Sequence, residues 1–379
     1  MEGKNIPMVD LRSQYHRLKG EIDEAILTVN ESTAFINGPQ VKEFATHLEE
    51  YLEIPFVIPC GNGTDALQIA LMALGLRPGD EVIVPAFNYV AAVETVTLLG
   101  LVPVLVDVDP WTFNINPWQI EQCISRRTRA IIAVHLFGQA CDMGIILGIA
   151  KSYHLYVIED NAQSLGTGYI CEDGTVKKAG TLGHVGTTSF FPSKPLGCYG
   201  DGGALMTSDR RLADRIRMIA SHGQTEKYHH KLVGCNSRLD TIQAAILDVK
   251  LKYLDEFNDN RIKLAVRYDE MLSSCKHIEV PQKSTFSQHI FHQYTLVVKD
   301  GKRDSLQQYL KEKGVASTVY YPIPLQDQEA FKDTAFIPYK IKVAGDLSKS
   351  VLSIPIYSEM TVETQDYIIK TILEADQKI

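Results

Sequence analysis

The sequence predicts an α/β protein: a mostly parallel central sheet covered by helices on both faces, with a smaller α+β portion after it. Two observations carry this. Short apolar runs, several rich in Val and Ile, occur at Glu81–Pro85, Val102–Asp107, Ala130–His135, Leu155–Glu159, Thr187–Phe191 and Ala204–Thr207, with mostly helical spacing between them. A sheet buried on both faces reads in this way. The chain also has 379 residues, 45% hydrophobic and 22% charged, enough for two domains around substantial cores. We expect residues 1–250 to form the large domain and 251–379 the small one, joined near the charged Lys250–Glu256 stretch.

Taken in order, residues 20–53 carry apolar positions at helical spacing, broken at Asn37-Gly-Pro39, and predict a helical lead-in. Cys60-Gly-Asn-Gly-Thr-Asp65 then opens an apolar helix from Ala66. Glycines, a hydroxyl and a carboxylate suit such a start. Its free N–H groups favour an anion, although Gly-Thr-Asp alone is also an ordinary helix cap. Past residue 208, Asp209–Met218 is a basic helix whose charges make a solvated face. Ser221–Lys231 is a polar, His-rich loop, and its adjacent His229 and His230 are poorly placed to share a metal. A strand at His289–Val298, a helix at Asp304–Lys313, a strand at Ala316–Tyr321 and a last helix from Thr361 complete the reading.

Bulk properties narrow the function. The charge is 38 − 46 = −8, so no overall positive field attracts nucleic acid or an anionic membrane. An anionic ligand needs a local site. The N-terminal stretch lacks the apolar core of a signal peptide, and no window approaches the ~20 apolar residues of a membrane span; the chain reads as cytoplasmic. Seven scattered cysteines, never spaced as metal-ligand pairs, read as reduced thiols, with no metal site expected.

The chemistry gathers at strand ends, where ligands collect in parallel sheets. Lys194 lies between an apolar run and the glycine-rich Gly197–Gly203 loop. Partial desolvation there would lower its pKa and leave an amine able to form a Schiff base. Alone, a solvated loop lysine is an equally good reading. Asp160 and Gln163 follow the Leu155–Glu159 run, and Asp160 could equally cap the next helix. Two such ends converging on one lysine favour a site.

Seven segments, Ile6–Tyr15, Gly63–Leu67, Pro85–Tyr89, Glu159–Gln163, Ser189–Gly203, Gly234–Ala245 and Leu352–Met360, together resemble the DegT/DnrJ/EryC1/StrS family of pyridoxal-phosphate-dependent sugar aminotransferases, of the aspartate aminotransferase fold. The resemblance spans nearly the whole chain. It implies that Lys194 binds the cofactor covalently and, once released, moves the substrate proton. Asp160 would pair with the protonated pyridine nitrogen, Gln163 would bond the ring hydroxyl and Tyr89 would stack on the ring. Gly63, Thr64, Asp65 and Ser189 would hold the phosphate. Asn236 would complete that site from a second subunit, which implies an obligate homodimer. Arg238, His230 and Tyr321 are candidate substrate contacts; for Arg238, a bidentate grip on an anion and an ion pair with a neighbouring aspartate are equally open.

Some family members carry histidine in place of this lysine and are deoxysugar dehydratases, so Lys194 favours transamination. Gln326 stands where relatives more often have histidine, a departure on the sugar side. The resemblance is greatest to members that aminate the 3-keto carbon. It implies transfer from L-glutamate to a nucleotide-linked sugar such as UDP-2-acetamido-3-keto-glucuronic acid, for surface polysaccharide or lipopolysaccharide. The alternatives are a 4-keto sugar or cyclitol aminotransferase, or a non-catalytic regulator that binds the cofactor.

Overall fold

The structure, a computed structural model, describes residues 5–379; the first four residues of the polar N-terminal stretch lie outside it. Seven strands build the central sheet: β1 (Phe56–Cys60), β2 (Glu81–Pro85), β3 (Val102–Val106), β4 (Thr128–Val134), β5 (Tyr156–Asp160), β6 (Val185–Ser189) and β7 (Gly203–Thr207). They lie in the order β1-β7-β6-β5-β4-β2-β3. All neighbours are parallel except the two pairs that β7 makes, with β1 and β6. The six predicted runs are all strands. Missed was β1, whose Phe-Val-Ile-Pro-Cys sequence carries Pro59; proline is tolerated because β1 is an edge strand.

Helices cover both faces: α1 (Leu11–Ser32), α2 (Pro39–Leu52), α3 (Gly63–Ala73), α4 (Ala91–Leu98), α5 (Met143–Tyr153), α6 (Arg210–Ala220) and α7 (Thr241–Leu251). Val82, Val84 and Ile132 pack with Ile69 and Ala70 of α3 and Val93 of α4. Their strand neighbours Ile83, Ile131 and Val157 pack on the other face with Ile146 and Ala150 of α5. Because both faces are covered, the runs are apolar throughout instead of alternating. The basic α6 is capped by Asp209, which accepts the N–H groups of Arg211 and Leu212.

Beyond these lie α8 (Leu254–Leu272), α9 (Arg303–Glu312), α10 (Val343–Ser350) and α11 (Val362–Lys378), against an antiparallel sheet of Ile278–Glu279, Tyr294–Val298 and Val351–Ile354. Tyr268, Leu296, Leu306, Leu352 and Ile368 form its core. Two expectations need correction. His289–Val298 is a strand only from Tyr294, because Phe291 takes a left-handed φ of 52° and the chain bends, with the His289 ring stacked 3.9 Å from that of Phe291. Ala316–Tyr321 is not a strand. It pairs with Ser353 only at Thr318, then turns to deliver Tyr320 and Tyr321 to the cavity described below.

Asp107, just past β3, ties the sheet to this second layer. Its Oδ2 accepts the N–H groups of Lys342 and Val343, and its Oδ1 those of Ala344 and Val108, so one buried carboxylate satisfies donors at the start of α10. Asp107→Ala is expected to lower the unfolding free energy by about 2–4 kcal/mol, read by urea denaturation. A loss below about 1 kcal/mol, the worth of one exposed cap, would show that water replaces the carboxylate.

Candidate active site

A cavity of about 520 Å³ opens at the carboxyl ends of β4, β5 and β6. Strand register sets its floor. Asp160 ends β5 opposite Val134 and Thr187, and Ser189 ends β6 opposite Gly203. Lys194 follows within a loop closed at its neck by the Cys198 N–H on the Phe190 carbonyl (2.8 Å) and the Phe190 N–H on the Gly202 carbonyl (2.7 Å). Here glycine serves close approach and not a left-handed turn: a Cβ on Gly203 would meet the Asn62 carbonyl oxygen at 2.5 Å, with no positive φ required.

The Lys194 side chain is part-buried and faces this cavity. Desolvation holds its amine below the usual lysine range, offset in part by the Asp160 carboxylate. Asp160 is 8% exposed; burial raises its pKa, opposed by the Ala162 N–H at 3.1 Å and by Lys194. Gln163 accepts the Phe137 N–H (2.9 Å) and donates to the Tyr321 hydroxyl (3.1 Å), leaving one amide hydrogen for a ligand. Tyr89 stands on the rim, 58% exposed, its ring tilted toward Tyr321. Gly63 and Thr64 open α3 and line the wall; their N–H groups have no intrahelical acceptor.

Eight expected residues thus share one cavity: Gly63, Thr64, Tyr89, Asp160, Gln163, Ser189, Lys194 and Tyr321. Four do not line it. Asp65 turns away, its carboxylate accepting the Ser237 hydroxyl (2.6 Å) and its N–H bonded to Asn62 (2.8 Å), so neither is free for a phosphate. Asn236 and Arg238 are exposed. Arg238 forms no ion pair with an aspartate among the described residues. His230 sits in an exposed hairpin, donating from Nδ1 to the His222 carbonyl.

The sequence reading missed three residues of this site. Asn62 is the true cap of α3, legible as an Asn three residues before Asp65. Asn88 lines the cavity, and its buried Nδ2 has no partner among the described residues; it lay within the Pro85–Tyr89 segment without being singled out. His292, buried, neutral and well below the usual histidine range through desolvation, gave no signal, since it lies in what read as plain strand.

These groups fit pyridoxal phosphate: among the described residues, a buried carboxylate lacking a cation at ion-pair distance, two free N–H groups at a helix start, an orphaned amide donor and a desolvated amine. Fold and cavity together define a pyridoxal-phosphate-dependent aminotransferase. A sequence model of the DegT/DnrJ/EryC1/StrS aminotransferase family matches residues 16–373, and the chain belongs to that family. Relatives include the UDP-2-acetamido-2-deoxy-3-oxo-D-glucuronate aminotransferase of Pseudomonas aeruginosa, 47% identical over 93% of this chain and 95% of that one. The "pleiotropic regulatory protein" of Geobacillus stearothermophilus is 44% identical over 98% of both. Among solved structures, Streptomyces venezuelae DesV superposes with a TM-score of 0.95 at 34% identity over 100% of both chains.

A Cβ at Gly63 would lie 2.7 Å from the Ser189 Cβ and narrow the cradle. Gly63→Ala is therefore expected to weaken cofactor binding about tenfold, about 1.4 kcal/mol, measured by titrating the stripped protein with pyridoxal phosphate. Unchanged affinity would place the phosphate elsewhere.

Proposed function

We propose that this chain, as a homodimer, transfers the amino group of L-glutamate to the C3 keto carbon of UDP-2-acetamido-3-keto-glucuronic acid, in the making of a surface polysaccharide. The observation that carries it is the 47% identity, over nearly the full chain, to the Pseudomonas aeruginosa enzyme of that name. Other relatives are named for 3-keto chemistry on UDP-linked and for 3-amino products on dTDP-linked sugars, which supports C3 over C4. The Geobacillus relative is named for regulation. The intact set of Lys194, Asp160 and Gln163 favours turnover over binding alone.

When bound, pyridoxal phosphate supplies a carbonyl for amines to condense with and a ring that takes up electron density. The residues do the rest. Gly63, Thr64 and Ser189 would hold the phosphate, Tyr89 would cover the ring, and Gln163 would bond its hydroxyl with the free amide hydrogen. Asp160 would hold a proton on the ring nitrogen by charge pairing. Lys194, its amine made available by desolvation, would hold the cofactor covalently and, once released, would carry the proton taken from the amino donor. Exposed Asn236, Arg238 and His230, all outside the cavity of their own chain, are free to reach a partner's site. Gln326, whose buried Oε1 lacks a partner among the described residues, is the departure from the family pattern that bears on the sugar.

Lys194→Ala is expected to lower glutamate-dependent turnover on the order of 10³-fold, followed by the change in cofactor absorbance on adding glutamate. Supplied with UDP-linked 3-keto uronic acid and with dTDP-linked 3-keto and 4-keto sugars, the enzyme should aminate the first best. Amination of a 4-keto sugar alone would sink the assignment. For the shared site, mixing Lys194→Ala with Asn236→Ala subunits should restore roughly a quarter of wild-type turnover, because half the dimers would carry one intact site; no restoration would place Asn236 outside the partner's site.

A further inference from the structure

Beneath the loop that presents Lys194 lies a second lysine. Lys250, on α7, is 1% exposed, and an ammonium so placed is costly unless its donors are used. Its Nζ donates to the carbonyl of Gly197 and stands 5.4 Å from the centre of the Tyr199 ring. Seven residues earlier, on the same face of the helix, Gln243 accepts the Tyr199 N–H at 2.8 Å. α7 therefore grips the loop at two points. A Cβ on Gly197 would sit 2.3 Å from the Pro192 carbonyl oxygen, so the residue held by Lys250 lies directly against the turn in which the Lys194 N–H bonds to the Phe191 carbonyl. No carboxylate reaches Lys250 at ion-pair distance among the described residues.

We propose that Lys250 is a positioning residue for transamination: by holding the Gly197 carbonyl, its ammonium fixes the turn on which the Lys194 amine meets the cofactor. The proposal rests on Lys194 being the reactive amine. The groups facing Lys250 are Cys198 and Tyr199 of the loop, Arg261 of α8 and Glu359 before α11. Burial brings the ammonium down to about 8, with Cys198 and Glu359 opposing and Arg261 assisting.

The sign of the effect follows. Below that value the grip is a charge-assisted hydrogen bond; above it the amine is neutral and the grip is weaker. Positioning by Lys250 therefore makes turnover fall as pH rises through about 8. Loss of a proton from Lys194, which its base role needs, acts in the opposite direction. Stability parts company with turnover: an unfolded lysine keeps its proton to a higher pH than the buried one, so the Lys250 contribution to stability rises over the interval in which turnover falls.

The test measures kcat and KM across this pH range for the wild type, Lys250→Met, Lys250→Arg and Gln243→Ala, with circular dichroism to verify folding. Borohydride reduction and peptide mass locate the bound cofactor. At neutral pH, Lys250→Met should lose about tenfold in kcat, about 1.4 kcal/mol, with KM little changed, and should lack the alkaline decline. Lys250→Arg, a permanent cation, should keep its rate where the wild type declines. Gln243→Ala should lose rate without altering the shape of the pH profile. Identical pH profiles for the wild type and Lys250→Arg, or a Lys250→Met enzyme that merely melts earlier while keeping kcat and pH profile, overturn the proposal. Should Lys250→Met not fold, the wild-type and Lys250→Arg profiles decide. A cofactor found on a residue other than Lys194 defeats the underlying reading independently of these profiles.

Discussion

The buried carboxylate of Glu159 is the constraint on which the cofactor side of this protein depends. It is fully buried in β5, and it accepts His135 Nε2 at 2.8 Å and the N–H groups of Gly180, Leu182 and Gly183. The His135 Nδ1 accepts the Cys141 N–H at 3.1 Å, which leaves Nε2 to donate to Glu159. Four donors hold the carboxylate below the usual range despite burial. This single group joins β4, β5 and the approach to β6. Its neighbour Asp160 points the opposite way, as alternation along a strand requires, and is thereby fixed on the cavity floor.

Two adjacent carboxylates, Glu159 and Asp160, thus have opposite fates. One is saturated by donors and structural; the other has one N–H partner and a distant amine, and its pKa is raised. The difference is what makes Asp160 receptive to a cation. The cavity otherwise combines apolar walls, such as Leu67, Val134 and Phe137, with a few directed polar groups, the usual composition of a small-molecule site. It couples a strand-end floor to a helix N-terminus.

Much of this was legible in the chain. Val- and Ile-rich runs gave the sheet because burial on both faces leaves a continuous apolar signal, and Lys194, Asp160 and Gln163 stood out as polar residues just past such runs. What escaped has physical reasons. β1 is short and contains proline, permitted only by its edge position. His292 enters the cavity through a bend at Phe291, whose left-handed backbone no residue type there announces. Asp65 is placed at the phosphate by the resemblance; only the fold shows its carboxylate spent on Ser237.

The bend at Phe291 has a consequence for how such a protein can diverge. His292 and Gln293 reach the cavity from a segment anchored in the second core by Phe291 and Tyr294, whereas Asp160, Ser189 and Lys194 are anchored in the seven-stranded sheet, against whose core Tyr320 and Tyr321 also pack. The wall at 292–293 and the floor therefore answer to separately packed foundations. Insertions or substitutions at 289–293 reshape the face offered to a sugar while the floor keeps its geometry, so new specificities are reached through one set of positions without eroding the chemistry held by the other.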